Sequence, residues 1–301
     1  LALGLTLTAA AQSIWIGYLT YGLGVGFAVA CGYVPMVATV GGWFERNRAS
    51  ALGVAVAGIG LGTLVGSPLA ARLIDATSWR STYLIFAVAG AGLLLLASTV
   101  AEHGPATVPA PRARPLLELL QIRDFALLYS SSVFASLGLF VPFVFLADYA
   151  EDQGISSVKA ATLVGLIGGA SIVGRLGLGG LADRLGTSRL YVGSFAVMSF
   201  SHVIWLVAGD RYWLLVIYTA VLGVGYGGFI ALSPAVAAQR FGLTGLGGVL
   251  GTLYTAAAIG SLAGPPLAGV LIDTFNYRTA IAFAAGVSAV ATVILWPLRK
   301  R

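Results

Sequence analysis

The sequence predicts an all-α membrane protein, a polytopic bundle of about ten helices arranged in two pseudo-symmetric halves. Hydrophobic residues make up 58% of the 301 residues and charged residues 9%, and the mean hydropathy is +0.93. These values are typical of a chain whose main solvent is the lipid bilayer. The few charged residues are also spaced so that they leave repeated apolar windows of about 20 residues, the length that a spanning helix needs.

The apolar windows define nine full-length segments and one shorter segment at the start of the chain. Charged residues, glycine and proline, which favour loops and helix ends, lie between them. The predicted segments are 1–12, 15–40, 50–71, 81–101, 125–147, 158–182, 190–208, 212–238, 246–271 and 279–297.

An internal repeat relates the two halves of the chain. The stretch Gly66–Asp75 reads GSPLAARLID, the stretch Gly264–Asp273 reads GPPLAGVLID, and Arg80 and Arg278 follow them at the same distance. The two copies lie 198 residues apart and run in the same direction. A parallel duplication of a helical bundle is typical of transport proteins that enclose a central site between two related halves.

The repeat also predicts the domain organisation. We expect an N-terminal helical half at 1–101, an inter-half loop at 102–124 and a C-terminal helical half at 125–301. The second half opens near Asp124, and its counterpart in the first half would lie before Leu1, at a distance that holds two helices and a loop. The sequence therefore predicts a twelve-helix arrangement in which helices 1 and 2 are missing and helix 3 is partial.

Basic residues in the loops predict the orientation. If successive segments cross the membrane in opposite directions, eleven Lys and Arg residues lie in loops on one side and five in loops on the other. An excess of Lys and Arg marks the cytoplasmic side. The larger group includes the C-terminus, so we expect a multi-pass protein of the plasma (inner) membrane with a cytoplasmic C-terminus. Because the net charge of +6 is scattered over many loops, it forms no nucleic-acid footprint, and no nucleic-acid partner is expected.

The sequence offers no cofactor, metal or catalytic motif, so we expect no cofactor and no enzyme activity. The single cysteine, Cys31, excludes an internal disulfide. The stretch Gly223–Gly228 fits the pattern G-x-G-x-x-G, but it lies within an apolar segment with no strand before it. The absence of a Walker lysine and of an H-E-x-x-H pair argues against an ATP-driven pump and a zinc protease.

Arg175 is the basic residue that lies well inside an apolar segment, 158–182. An arginine at the centre of a spanning helix costs about 2.5–3.5 kcal/mol on insertion scales, so its side chain should face a wet cavity or a partner. Its planar guanidinium matches a carboxylate through two parallel hydrogen bonds. We predict that Arg175 binds an anionic substrate; the alternative is a structural arginine paired with a backbone carbonyl or with Asp183.

The stretch Gly179–Arg189 reads GGLADRLGTSR. It is similar to the G-x-x-x-D-R-x-G-x-x-R signature of the major facilitator superfamily, a resemblance that extends over essentially the whole chain. The resemblance implies a secondary transporter that works by alternating access, in which Asp183 pairs with a nearby arginine or helix N-terminus. The residues to which it assigns gating or conformational roles are Gly179, Asp183, Arg184 and Gly186. The alternative is an ordinary helix-ending turn.

A second stretch narrows the resemblance. Trp43–Gly58 reads WFERNRASALGVAVAG and is similar to the segment that leads into helix 5 of monocarboxylate porters, with an aromatic pair, a basic cluster and a run of small residues. Arg175 and Gly179 match the R-x-x-x-G of these porters, although Leu176 replaces the usual proline. The usage of Ala, Gly and Arg further indicates a bacterial member.

The resemblance implies that aromatic residues contact the substrate around Arg175. Tyr33, Tyr226 and Tyr254 are similar to substrate-contacting aromatic residues of bacterial monocarboxylate porters. Each offers a hydroxyl group to a carboxylate and a ring to a short aliphatic body. Phe140, in a predicted break of the segment 125–147, which is helix 7 of the twelve-helix arrangement, is assigned to the same site.

The resemblance implies proton-coupled uptake or efflux of a small monocarboxylate or related organic anion. Ser171 stands where eukaryotic members often carry an acidic residue implicated in proton coupling, so the sequence shows no proton carrier. The expected partners are a small organic anion, a proton or counter-anion, and the lipid bilayer, and the oligomeric state stays open, a monomer being compatible. The alternatives are an anion exchanger of the oxalate/formate type, a transporter of another small solute and a non-transporting membrane sensor.

Overall fold

The computed structural model describes residues 1–44, 46–100, 102 and 115–300 and shows helices joined by short turns in these ranges. Nine helical stretches of the described residues are long and apolar enough to cross a membrane. They confirm the predicted spans to within a few residues at each end. Most of the predicted inter-half loop, 103–114, lies outside the described residues.

The first helices come from the N-terminal half. They are α1 (Ala2–Ala9), α2 (Ile14–Leu19), α3 (Gly26–Trp43), α4 (Arg48–Ala76) and α5 (Trp79–Val100). A π-helical turn, Thr20–Val25, joins α2 to α3, so that both belong to one span, Ile14–Trp43.

The remaining helices include one short helix that lies within the predicted loop and those of the C-terminal half. They are α6 (Leu116–Leu120), α7 (Arg123–Leu139), α8 (Val141–Asp152), α9 (Ser157–Leu185), α10 (Thr187–Ala208), α11 (Tyr212–Phe241), α12 (Leu246–Thr274) and α13 (Tyr277–Leu295). A 3-10 turn, Trp296–Lys300, follows α13. Three of these helices end at glycines with positive φ: Gly186 at 98°, Gly209 at 55° and Gly242 at 77°. Glycine adopts this backbone region without strain, so these positions stop the helices sharply.

The internal repeat is visible in the helix boundaries. Helices α4 and α12 both contain 29 residues, and their first and last residues lie 198 positions apart. The residue before each helix has a left-handed backbone, with φ of 58° at Asn47 and 73° at Gly245. Asparagine is the residue, after glycine, that tolerates this conformation best. The two halves therefore share local backbone geometry as well as sequence.

The span Arg123–Asp152 is interrupted at Phe140, between α7 and α8. Pro142 follows two residues later and has no backbone N–H to donate to the carbonyl of Gly138, one turn earlier. The loss of this hydrogen bond explains why the helix breaks at this position. The break predicted within the segment 125–147 therefore lies next to Pro142, as expected from the sequence.

The two halves meet mainly through α4 and α9, which run antiparallel. The basic end of the bundle is defined by Arg48, Arg184, Arg240 and Arg299. The contacts between α4 and α9 begin there, with the carbonyl of Ala49 close to Gly179, and extend to Thr63 and Gly168. Small residues line this interface, which lets the two backbones approach closely.

Candidate functional site

Arg175 lies in the middle of α9 and is fully buried, with 0% of its surface exposed. Its three guanidinium nitrogens have no hydrogen-bond partner among the described residues. No carboxylate of those residues lies within ion-pair distance of it either. A buried charge with neither a hydrogen-bond acceptor nor a counter-ion is unfavourable, so this guanidinium is a group that an incoming anion would stabilise.

Glycines of both halves surround Arg175. A Cβ atom added to Gly60 of α4 would lie 2.7 Å from Nη1 of Arg175 and 2.9 Å from Oγ of Ser171. One added to Gly53 would overlap the carbonyl oxygen of Arg175, and one added to Gly227 of α11 would lie 2.9 Å from its backbone nitrogen. The arginine therefore lies at the interface between the halves, against bare helix backbone.

Of the three tyrosines assigned to the site, Tyr226 lies against the guanidinium of Arg175, and Tyr33 and Tyr254 pair with each other. The ring centre of Tyr226 is 5.3 Å from Cζ of Arg175, a distance at which a cation interacts with the face of a ring. Tyr33 of α3 and Tyr254 of α12 pair across the two halves, with a hydroxyl to hydroxyl distance of 3.5 Å and ring centres 5.5 Å apart. The site thus combines one cation with hydroxyl groups and rings contributed by both halves.

Among the described residues, the ring of Phe140 is connected to this cluster through a second phenylalanine. Its ring packs against Phe143 at 5.9 Å, and Phe143 packs edge-on against Tyr226 at 5.7 Å. Phe143 was not predicted as a site residue, and its position one residue after Pro142 is the signal that would have indicated it. Phe143 links the break in the span Arg123–Asp152 to the site.

Ser171, one turn before Arg175, is buried and donates its hydroxyl hydrogen to the carbonyl of Gly168 at 2.6 Å. The hydroxyl of Ser171 is therefore paired within its own helix, and this residue places no charge near the guanidinium.

The predicted gating residue Asp183 pairs with a helix N-terminus in the other half. Its Oδ2 accepts hydrogen bonds from the backbone N–H of Ser50 at 3.2 Å and from the hydroxyl of Ser50 at 2.7 Å. Ser50 lies in the first turn of α4, where unpaired N–H groups and the helix dipole favour a negative charge. Of the two partners that the sequence left open, the structure has the helix N-terminus; Ser50 itself was not predicted.

The other predicted gating residues occupy distinct positions. Gly179 lies against the backbone of α4 and its carbonyl accepts a hydrogen bond from the hydroxyl of Ser50 at 3.4 Å. Gly186 forms the turn between α9 and α10. Arg184 is exposed and, unlike its neighbour Asp183, lines a cavity on the C-terminal half.

The Asp183 contact leads to a prediction about opening at the basic end. Asp183→Ala removes two charge-assisted hydrogen bonds between the halves, each worth about 1.5–3 kcal/mol, so separated conformations should become at least about tenfold more populated. Spin labels at the exposed positions Arg46 and Arg189, in a Cys31→Ser background, should report a longer distance. Asp273→Ala, at the opposite end, is the matched control and should leave the distance distribution unchanged; an unchanged distribution for Asp183→Ala would contradict the gating role.

The sequence pattern of the Major Facilitator Superfamily matches residues 1–189 and 128–301, which together cover the whole chain. The chain belongs to the major facilitator superfamily. This facilitator is thus a multi-pass membrane transporter rather than an enzyme, as the sequence predicted.

Curated relatives of this facilitator are monocarboxylate transporters. Monocarboxylate transporter 12 of Rattus norvegicus is 31% identical over 334 residues, which cover 99% of this chain and 69% of the relative. Monocarboxylate transporter 4 of Rattus norvegicus is 30% identical and covers 98% and 65% of the two chains, and human monocarboxylate transporter 11 is 30% identical and covers 95% and 63%. This facilitator therefore spans about two thirds of the length of these relatives.

Two solved structures share the fold. The human organic anion transporter MFSD10 superposes with a TM-score of 0.75 at 18% identity, covering 98% of this chain and 74% of that one. The fucose:proton symporter FucP of E. coli superposes with a TM-score of 0.73 at 16% identity, covering 99% and 81%. The facilitator fold predicted from the sequence is confirmed.

Proposed function

We propose that this facilitator transports a small monocarboxylate, or a related organic anion, together with a proton. The observation that carries the proposal is Arg175, a fully buried guanidinium with no hydrogen-bond partner among the described residues. A carboxylate would supply the missing acceptors in the bidentate geometry that arginine favours. The names of the curated relatives support this substrate class.

The surroundings of Arg175 favour a small substrate with a short aliphatic body. The rings of Tyr226 and Tyr254 offer apolar faces, and their hydroxyl groups, with that of Tyr33, offer hydrogen bonds to a hydroxy or keto group. Because residues of both halves line the site, rocking of the halves would expose it to one side of the membrane at a time. Arg175 is buried in this conformation, so substrate entry requires the halves to separate.

Proton coupling and sidedness belong to the same proposal. A monocarboxylate carries one negative charge, so transport with one proton moves no net charge across the membrane. A fold shared with a fucose:proton symporter is compatible with such coupling. The excess of basic residues at the basic end favours a cytoplasmic location for that end and for the C-terminus, in a plasma membrane.

Uptake of labelled lactate and pyruvate into proteoliposomes that contain the full chain tests the proposal. We expect saturable uptake driven by an inward pH gradient, abolished by a protonophore, and insensitive to a potassium diffusion potential because the transported pair is electroneutral. Uptake that follows the membrane potential would contradict one-to-one proton coupling. Exchange of preloaded oxalate or formate without any effect of the pH gradient would favour an anion exchanger, and no uptake of any short monocarboxylate would remove the substrate class.

A further inference from the structure

A basic cavity of about 350 Å³ opens at the basic end of the C-terminal half. Arg184, Arg189 and Arg299 line it together with Gln239, and its described lining contains no acidic residue. The guanidinium groups of these three arginines make no ion pair with any described carboxylate. The cavity is therefore a concentration of positive charge that nothing within the described chain neutralises.

The turn at Gly186 builds this cavity. Gly186 has φ of 98°, which ends α9 and starts α10 within one residue and places Arg184 and Arg189 on either side of the turn. The 3-10 turn after α13 packs on α10 and brings Arg299 to the same cavity. The three arginines thus come from the ends of three different helices, and only the fold brings them together.

Ser188 adds a hydrogen-bond donor at the wall of the cavity. It is 4% exposed, and its Oγ accepts a hydrogen bond from Nη2 of Arg240 at 3.1 Å. Because the oxygen accepts from Arg240, the hydroxyl hydrogen is left to donate to another group, and it has no acceptor among the described residues. Helix α10 also begins without a side-chain cap, so the N–H groups of its first turn add to the positive potential.

We propose that this cavity binds the phosphate group of an anionic lipid at the membrane surface. Three guanidinium groups, a hydroxyl donor and a helix N-terminus are the groups that recognise phosphate. A lipid is favoured over a soluble phosphate because apolar surface adjoins the site. Leu185, which lines the cavity, is 53% exposed, and Trp296, whose ring stacks on Arg299 at 4.0 Å, is 49% exposed. Tryptophan at the end of a spanning helix is typical of the lipid headgroup level.

The cavity lies outside the substrate site but adjoins the predicted gate, because the segment Asp183–Arg189, which joins the end of α9 to the start of α10, contributes to both. Asp183 contacts Ser50 in the other half, whereas Arg184 and Arg189 line the cavity. A bound headgroup would fix this segment in place. Anionic lipid should therefore stabilise the contact between Asp183 and Ser50.

Native mass spectrometry of the purified full chain in detergent tests the proposal. Phosphatidylglycerol and phosphatidylcholine are titrated separately, and the dissociation constant of the first bound lipid is measured for each. We expect phosphatidylglycerol to bind more tightly, and each of Arg189→Gln and Arg299→Gln to weaken it about fivefold, the effect of one basic residue at a membrane surface. Arg278→Gln, the same charge change at the opposite end, should leave the dissociation constant unchanged.

A second variant distinguishes weaker lipid binding from loss of folding. Gln239→Glu places a negative charge at an exposed position of the cavity wall and should weaken phosphatidylglycerol binding without lowering the melting temperature. Equal affinities for the two lipids, or equal effects of Arg189→Gln and Arg278→Gln, would overturn the site. Displacement of phosphatidylglycerol by millimolar inorganic phosphate or glycerol 3-phosphate would show that the cavity binds a soluble phosphate, and would contradict the lipid proposal.

Discussion

Replacement of Arg175 by methionine is expected to abolish substrate uptake while raising the thermal stability of the purified, substrate-free protein. Methionine fills a similar volume but has no charge to bind a carboxylate. Loss of one partner of a buried charge pair costs about 2–5 kcal/mol, which corresponds to a fall in uptake of at least about 30-fold. Without substrate the guanidinium has no hydrogen-bond partner among the described residues. Its removal should therefore stabilise the fold. Each kcal/mol gained in the free energy of unfolding should raise the melting temperature by about 2–4 °C.

The opposite signs of these two effects separate a binding arginine from a structural one. Proteoliposome uptake and a thermal melt monitored by tryptophan fluorescence measure them. Arg278→Gln, at an exposed position on the opposite end, is the control and should change neither quantity. A structural arginine, paired with a carbonyl as the sequence analysis allowed, would instead give a lower melting temperature in Arg175→Met together with the lost uptake.

Replacement of Gly53 by alanine is expected to reduce uptake at least about fivefold. The added methyl group would overlap the carbonyl oxygen of Arg175 across the interface between α4 and α9. A backbone oxygen cannot move aside as a flexible side chain can, so the two halves must stay further apart at the basic end. Overpacking of this kind costs about 1–3 kcal/mol, and the cost falls on the closed conformation through which the transport cycle has to pass.

Gly58, on the same helix, provides a matched control. A Cβ added there meets no atom within 4 Å, and alanine is the better helix former by about 1 kcal/mol. Gly58→Ala should therefore retain uptake and melt at the same temperature or higher. Equal uptake by the two variants would show that close approach at Gly53 is not required for transport.

The sequence predicted the spans well because the bilayer imposes one strong requirement. Every backbone polar group must be paired inside lipid, so apolar stretches of sufficient length have to form helices. The repeat of Gly66–Asp75 in Gly264–Asp273 likewise predicted a correspondence that α4 and α12 show in their lengths and boundaries. Arg175 could be singled out because an unpaired charge in an apolar segment is costly enough to demand an explanation.

Other parts of the site depend on contacts between distant segments. Ser50 pairs with Asp183 across 133 residues of sequence, and no periodicity or local motif predicts such a contact. The pairing of Tyr33 with Tyr254 was not predicted, because the family resemblance assigned each tyrosine singly to substrate contact and gave no contact between the two. The role of Phe143 follows from its orientation after the break at Phe140, which the sequence placed but could not orient.

The break at Phe140 separates the two ends of the span Arg123–Asp152 mechanically. Asp124, near the start of α7, is held by Arg240 at 2.9 Å, whereas α8 follows a joint that lacks one backbone hydrogen bond. We therefore expect movement of α8 to bend the chain at this joint before it displaces the ion pair at Asp124. Because Phe143 lies just beyond the joint and its ring packs against Tyr226, a small rotation of α8 would shift this ring relative to the proposed substrate site.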